Sequence, residues 1–252
     1  IEKASYIFGV LGKTAEKEYC DSLYSSIRTS VRKYLIDLNT MTAIGSCQTS
    51  QAMAVYYNVF DNAEKPEAVK RLVEIINRSD CHVDAGILGM RVLFRVLSDF
   101  GYSSLAFKMI TRRDYPSYGN FVERGLTALP EDFLRETDRP NSQNHHMFGD
   151  ISAWFIEYCA GIKVNPYRND SSFVKVSPCF ICELDYAEGE YETVGGRIKV
   201  NWVRTDGKIK LTVIADEGVH GEIIIPSEYS IENNGGNYAE LENGEYMLEL
   251  NK

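Results

Sequence analysis

The apolar residues of this chain recur with a helical period up to about residue 161, and with a period of two from about residue 163 onward. A helix returns a side chain to one face after three or four positions, and a strand does so after two. Separate blocks of each period predict a helical portion followed by a β portion. The change falls between Gly161 and Arg168, where Asn165-Pro166 and Arg168 to Ser172 interrupt both patterns, so the expected domains are 1–163 and 164–252.

Within the helical block, Tyr19, Leu23, Ile27, Val31 and Leu35 recur every fourth residue, and Ala68, Val69, Leu72, Val73 and Ile76 follow Pro66 as a second stripe. Each predicts a helix with one face on a core. From Gly86 to Phe100 the apolar residues surround the axis, which predicts an inner helix covered on most sides. Gln48 to Phe60 is a second inner candidate. Alternation of buried and amphipathic helices predicts stacked hairpins in two layers. A last helix is expected from Asn144, stopped by Gly161. Beyond it, Arg197–Val203, Lys208–Ile214, Gly221–Ile225 and Tyr246–Leu250 alternate as strands between Gly- and Asn-rich turns, which predicts an antiparallel sandwich.

The net charge of -9 argues against nucleic acid as a partner, because phosphate binding needs clustered Lys and Arg. The two basic runs, Arg28 to Lys33 and Arg112-Arg113, read as solvated helix faces. No apolar run is long enough for a membrane span, and Ile1 to Ala4 carry neither block of a signal peptide. A soluble protein is expected, in a compartment the residues leave open. The six cysteines are scattered, and Cys179-Phe-Ile-Cys182 lies in an apolar, strand-like segment without a second pair, so buried free thiols are expected rather than a zinc site. No cofactor is expected, and no metal, since neither His-Glu-x-x-His nor a convergent carboxylate set occurs.

The chemistry gathers between Tyr115 and Gly149. Glu131 on a turn near His145 and His146 suits a general base, which must be ionised near neutral pH and still take a proton. Equally, Glu131-Asp132 can be the acidic first turn of a short helix, and the two histidines can simply bond nearby backbone. Tyr118 can stack on the apolar face of a sugar ring, while Asn144 and His145 can pair with hydroxyls. Asp84 reads as a cap for the helix that follows it.

Tyr115-Pro-Ser-Tyr-Gly119, Gly125-Leu-Thr-Ala-Leu-Pro-Glu131 and Asn144-His-His-Met-Phe-Gly149, in that order and ahead of a sandwich, resemble the alpha-L-rhamnosidase family of glycoside hydrolases. Val10 to Lys13, Gln48 to Gln51, His82 to Gly89 and Ser152 to Ile162 are similar to further family segments, so the likeness covers nearly the whole chain. It implies the C-terminal part of an alpha/alpha six-hairpin barrel followed by a β-sandwich, acting on a rhamnoside-like carbohydrate with inversion. Inversion uses an acid and a base roughly 6.5–9.5 Å apart on opposite sides of the bond. The resemblance puts Glu131 at the base and Asn144, His145 and Tyr118 along the sugar pocket, Tyr118 in place of a tryptophan.

The family's acid lies in a segment rich in Asp, Arg and Glu before Gly-Trp, and no such segment occurs in these residues. Around the base, Pro130, Ala128 and Leu126 replace the family's tryptophan, threonine and alanine. The expected partner is therefore the N-terminal part of the same enzyme, or another chain, covering an open half barrel. Three readings stand: the base-side half of a glycosidase, a non-catalytic carbohydrate-binding or structural fragment of a degenerate one, and a helical scaffold for protein partners.

Overall fold

The computed structural model describes residues 1–133, 142–165, 167, 168, 170–232 and 235–251. Of the segments read above, Pro166 and Asn169 at the change of period lie outside them, as do positions 233 and 234 in one of the Asn-rich turns. Two compact units result, one of Ile1–Phe100 with Met109–Met147, the other of Gly101–Lys108 with Phe148–Lys252.

The first unit holds α1 (Glu2–Val10), α2 (Thr14–Leu35), a short hairpin of β1 (Ile36–Asp37) and β2 (Thr42–Ala43), α3 (Gln48–Tyr56), α4 (Lys65–Arg78) and α5 (Ile87–Asp99). Helix α6 (Ser103–Thr111) is shared between the units, and α7 (Tyr118–Glu123) belongs to the first. Helix α1 pairs with α2, and α3 packs on both α4 and α5. As the spacing predicts, α4 buries Ala68, Val69, Leu72 and Ile76, while α5 buries residues on most of its faces, including Met90, Leu93, Phe94 and Leu97. Close approach of α3 and α5 depends on Gly89, whose added Cβ would lie 2.4 Å from Thr49 Oγ1.

Two fully buried glutamines tie loops to α3. Gln51 accepts from Ala43 N (2.8 Å) and donates to the carbonyls of Met41 and Ala68 (both 2.8 Å). Gln48 donates to His82 O (2.8 Å) and Ser79 Oγ (3.1 Å) and accepts from Asp84 N (3.0 Å). Every polar end is paired, so burial costs little and fixes the loops' backbone.

Three expectations for this unit are corrected. The α2 stripe does not face a core: Tyr19 is 69% exposed, Ile27 45% and Leu35 46%, and Cys20 is the buried residue of the helix. What anchors α2 is polar. Arg28 donates to Asn58 O (2.6 Å) and Asp61 (2.6 Å), and Arg32 makes two bonds to Glu64 (2.7 and 2.8 Å) and one to Val59 O (2.8 Å). These arginines are clamps rather than solvated cations, because their planar forks match carboxylates and carbonyls. Asp84 does not cap α5, whose N-cap is Gly86 with no side-chain bond.

The second unit, which resumes at Phe148 within the helical turn that follows α7, contains the rest of the last helical segment and the sheets. Helix α8 (His146–Gly149) stops at Asp150, and α9 (Ile151–Trp154) runs into a π-helical segment, Phe155–Ala160. The single helix expected from Asn144 is thus broken, while Gly161 ends it with φ 88° as expected. There an added Cβ would stand 2.2 Å from Pro178 N, so the backbone approach itself excludes a side chain.

The strands are β3 (Ile162–Val164), β4 (Phe173–Val176), β5 (Tyr186–Thr193), β6 (Gly196–Thr205), β7 (Lys208–Ala215), β8 (His220–Ile224), β9 (Tyr229–Ile231), β10 (Tyr238–Glu240) and β11 (Gly244–Leu250). They form a four-stranded sheet, β10-β8-β4-β3, and a five-stranded sheet, β5-β6-β7-β11-β9. All pairs are antiparallel except β4 with β8. Asp206 and Gly207, both with positive φ, close the β6–β7 hairpin with Thr205 opposite Lys208. Asp216 to Gly218 instead carries the chain from one sheet to the other. Both sheets feed one core, with Val174, Val176 and Ile223 from the first and Ile198, Val200, Trp202 and Leu211 from the second. Trp202 donates Nε1–H to Cys159 O at 2.7 Å.

All six cysteines are free. Cys20, Cys81 and Cys159 are buried as expected, whereas Cys47 and Cys179 are half-buried and Cys182 is exposed. The Cys179–Cys182 segment is a loop and not a strand, with Phe180 at φ 45° and its ring set edge-on to Trp202.

Candidate active site

The turn from Arg112 to Ser117 is fixed by charge before it presents anything to a ligand. Arg112 makes two 2.8 Å bonds to the Asp114 carboxylate and a third to Asp80 O, and His82 Nε2 meets Asp114 Oδ2 at 2.9 Å. The Arg112 guanidinium, helped by His82, holds the Asp114 carboxyl well below the usual carboxylate range. Arg112 is thus another clamp rather than a solvated cation. Ser117 donates to Arg112 O (2.5 Å), caps α7 by accepting from Asn120 N (3.0 Å), and follows a cis Tyr115-Pro116 bond. Gly119 is required where α7 crosses the end of α6, since an added Cβ would lie 2.1 Å from Arg112 O.

Tyr118 comes out of this turn buried, with 8% of its surface exposed. Its ring lies 6.4 Å from Phe94, 6.0 Å from Phe121 and 5.7 Å from Phe133. The aromatic set therefore joins α5 and α7 to the segment that carries Glu131.

Glu131 is half-buried and sits in a bend, as does Asp132. Its segment is zipped to the one carrying the histidines by two backbone bonds, Glu131 N to Ser142 O (3.2 Å) and His145 N to Leu129 O (2.9 Å). Through those bonds and the Tyr118–Phe133 contact, the fold brings Tyr118, Glu131, Asn144 and His145 into one neighbourhood. Asn144 is exposed and His145 half-buried. The His145 ring stacks on His146, with centroids 5.5 Å apart and an interplanar angle of 17°. Its Nδ1 is buried without a hydrogen-bond partner among the described residues. The alternative of an acidic first helical turn at Glu131-Asp132 meets no described helix through Phe133, and residues 134–141 lie outside the description.

Sequence reasoning missed the support beneath the turn that carries Tyr118. Asp80, His82, Arg112 and Asp114 are spread over 35 positions of sequence, and only the turn that folds Asp114 back onto His82 makes them a set. Among the described residues no group of three or more His, Cys, Asp or Glu side chains could hold a metal ion.

A loop carboxylate beside imidazole and amide side chains, with an aromatic ring packed behind, can move a proton and pair with hydroxyls. Helical hairpins followed by a two-sheet sandwich place the chain with the six-hairpin glycosidases that carry an appended β domain. Residues 2–159 match the bacterial alpha-L-rhamnosidase six-hairpin glycosidase domain, and residues 172–240 match the bacterial alpha-L-rhamnosidase C-terminal domain. The chain belongs to this family.

An alpha-L-rhamnosidase of Alteromonas sp. (strain LOR) is 29% identical over 202 residues, which cover 77% of this chain and 22% of that protein. The alpha-L-rhamnosidase structure from Dictyoglumus thermophilum superposes with a TM-score of 0.81 at 27% identity, covering 98% of this chain and 30% of that one. The Streptomyces avermitilis alpha-L-rhamnosidase, solved in complex with L-rhamnose, shares the fold with a TM-score of 0.83 at 22% identity, covering 97% and 25%. This chain spans between about a fifth and a third of the length of these relatives.

Proposed function

We propose that this chain is the C-terminal, base-side part of an inverting glycoside hydrolase that removes terminal L-rhamnosyl or closely related residues. The observation that carries the reading is the backbone zipper that sets Glu131 beside Asn144 and His145, with Tyr118 packed on Phe133. In this reading Glu131 takes the proton of the attacking water. Asn144 and His145 bond the sugar hydroxyls, and Tyr118, buried against Phe94, Phe121 and Phe133, backs the sugar pocket from behind.

The partner acid belongs to residues supplied by the rest of the enzyme, since the matched relatives are three or more times longer. The exposed apolar residues of α1 and α2, among them Ile7, Val10, Tyr19 and Ile27, are the surface that this remainder covers. The same reading takes 1–163 as barrel and 164–252 as sandwich. The carbohydrate is the only ligand invoked.

Turnover of an aryl alpha-L-rhamnoside by the full-length gene product tests this. Glu131→Gln should lower kcat by about 10²–10⁴-fold while leaving the circular dichroism spectrum unchanged. Retention of most of the activity would remove Glu131 from the mechanism.

A further inference from the structure

The second unit holds a pocket of about 280 Å³ that no part of the proposed active site uses, lined by Ser152, Ile156, Glu157, Ile162, Val164 and Tyr191 among others. It lies where β3 and β5, the edge strands of the two sheets, meet the final helical segment. Ile156 and Glu157 come from the π-helical Phe155–Ala160, and single π turns inside helices recur at functional sites because they turn side chains out of the α-helical register. Strand β5 lies close against that segment at Gly189, where an added Cβ would stand 2.6 Å from Ala160 Cβ and 3.3 Å from Ile156 Cδ1. Tyr191, two residues on and so on the same face, reaches the pocket with 45% of its surface still exposed.

We propose that this pocket is a second carbohydrate site that holds one 6-deoxy sugar ring. The volume lies just under the roughly 300–1,000 Å³ of pockets for larger ligands, which suits a single ring. Tyr191 offers a face for stacking on the ring's C–H surface, Ile156, Ile162 and Val164 offer an apolar wall for a methyl group, and Glu157 and Ser152 offer an acceptor and a hydroxyl. A hydroxymethyl group on the same wall would lose its water without gaining a partner, so the site selects against the 6-hydroxylated ring. The choice of sugar rests on the rhamnosidase reading above. The pocket itself does not depend on Glu131.

The test is a methyl-resolved NMR titration of the 252-residue chain with L-rhamnose and, for comparison, L-mannose, which differs in carrying the C6 hydroxyl. Resonances of Ile156, Ile162 and Val164 should move with L-rhamnose, in the parent chain and equally in Glu131→Gln. Tyr191→Ala and the change to L-mannose should each weaken binding about tenfold, whereas Tyr191→Phe, which keeps the ring, should bind as the parent does. Absence of movement at these three residues overturns the proposal whatever happens near Glu131, and so does equal affinity for the two sugars. The active-site reading stands or falls separately, on the turnover of Glu131→Gln.

Discussion

Glu131 is positioned by its backbone more than by its side chain, since Ser142 and Leu129 supply the bonds that hold its segment against the histidines. Gly119, which follows Tyr118, is where a small change should do the most damage. Its Cβ vector points at the Arg112 carbonyl, so Gly119→Ala should destabilise the first unit by about 1–3 kcal/mol, measured by urea unfolding. The same variant should lower activity through misplacement of Tyr118. A fully stable Gly119→Ala protein would show that α6 and α7 can part without cost.

At the scale of elements, the sequence was legible wherever period alone decides burial. The α4 stripe, the all-round burial of α5, the β6–β7 hairpin and the stop at Gly161 all follow from local pattern. Helix α2 was misread for a physical reason: an apolar stripe shows that a face can be buried, not that a partner is present. The polar anchors were invisible for another, since Arg32 and Glu64 lie 32 residues apart and either looks like a surface charge alone. Arg32's two bonds hold the Glu64 carboxyl at about 2, against an ordinary 4.5. The fold therefore favours the ionised form, and this stabilisation is complete above about pH 4.5 and lost as pH falls to about 2. Glu64→Gln should cost about 1–2 kcal/mol at pH 7, a difference that vanishes across that window in pH-dependent urea melts. A gap that persists at pH 2 would mean that packing, not charge, is what Glu64 supplies. Gln51→Ala should cost about 3 kcal/mol at every pH, because it strips the buried Ala43 N–H and two carbonyls of their partner.

At the scale of the whole molecule, the candidate site residues can be picked out by type, and the family likeness supplies the roles proposed for them. Their juxtaposition was not legible, because it depends on the zipper between 129–131 and 142–145 and on the Asp114 clamp. The exposed apolar faces of α1 and α2 carry the remaining consequence. The isolated chain should bind a hydrophobic dye and should not turn over an aryl rhamnoside, while the full-length gene product should do the reverse. Turnover by the isolated chain at a rate near that of the full-length protein would show that its own residues include the acid. The most direct test of the central claim, that Glu131 is the base of an inverting site, follows the anomer first released from an alpha-L-rhamnoside by proton NMR. The full-length protein should release the beta anomer first, with that signal lost in Glu131→Gln; first release of the alpha anomer, or undiminished release by Glu131→Gln, would contradict it.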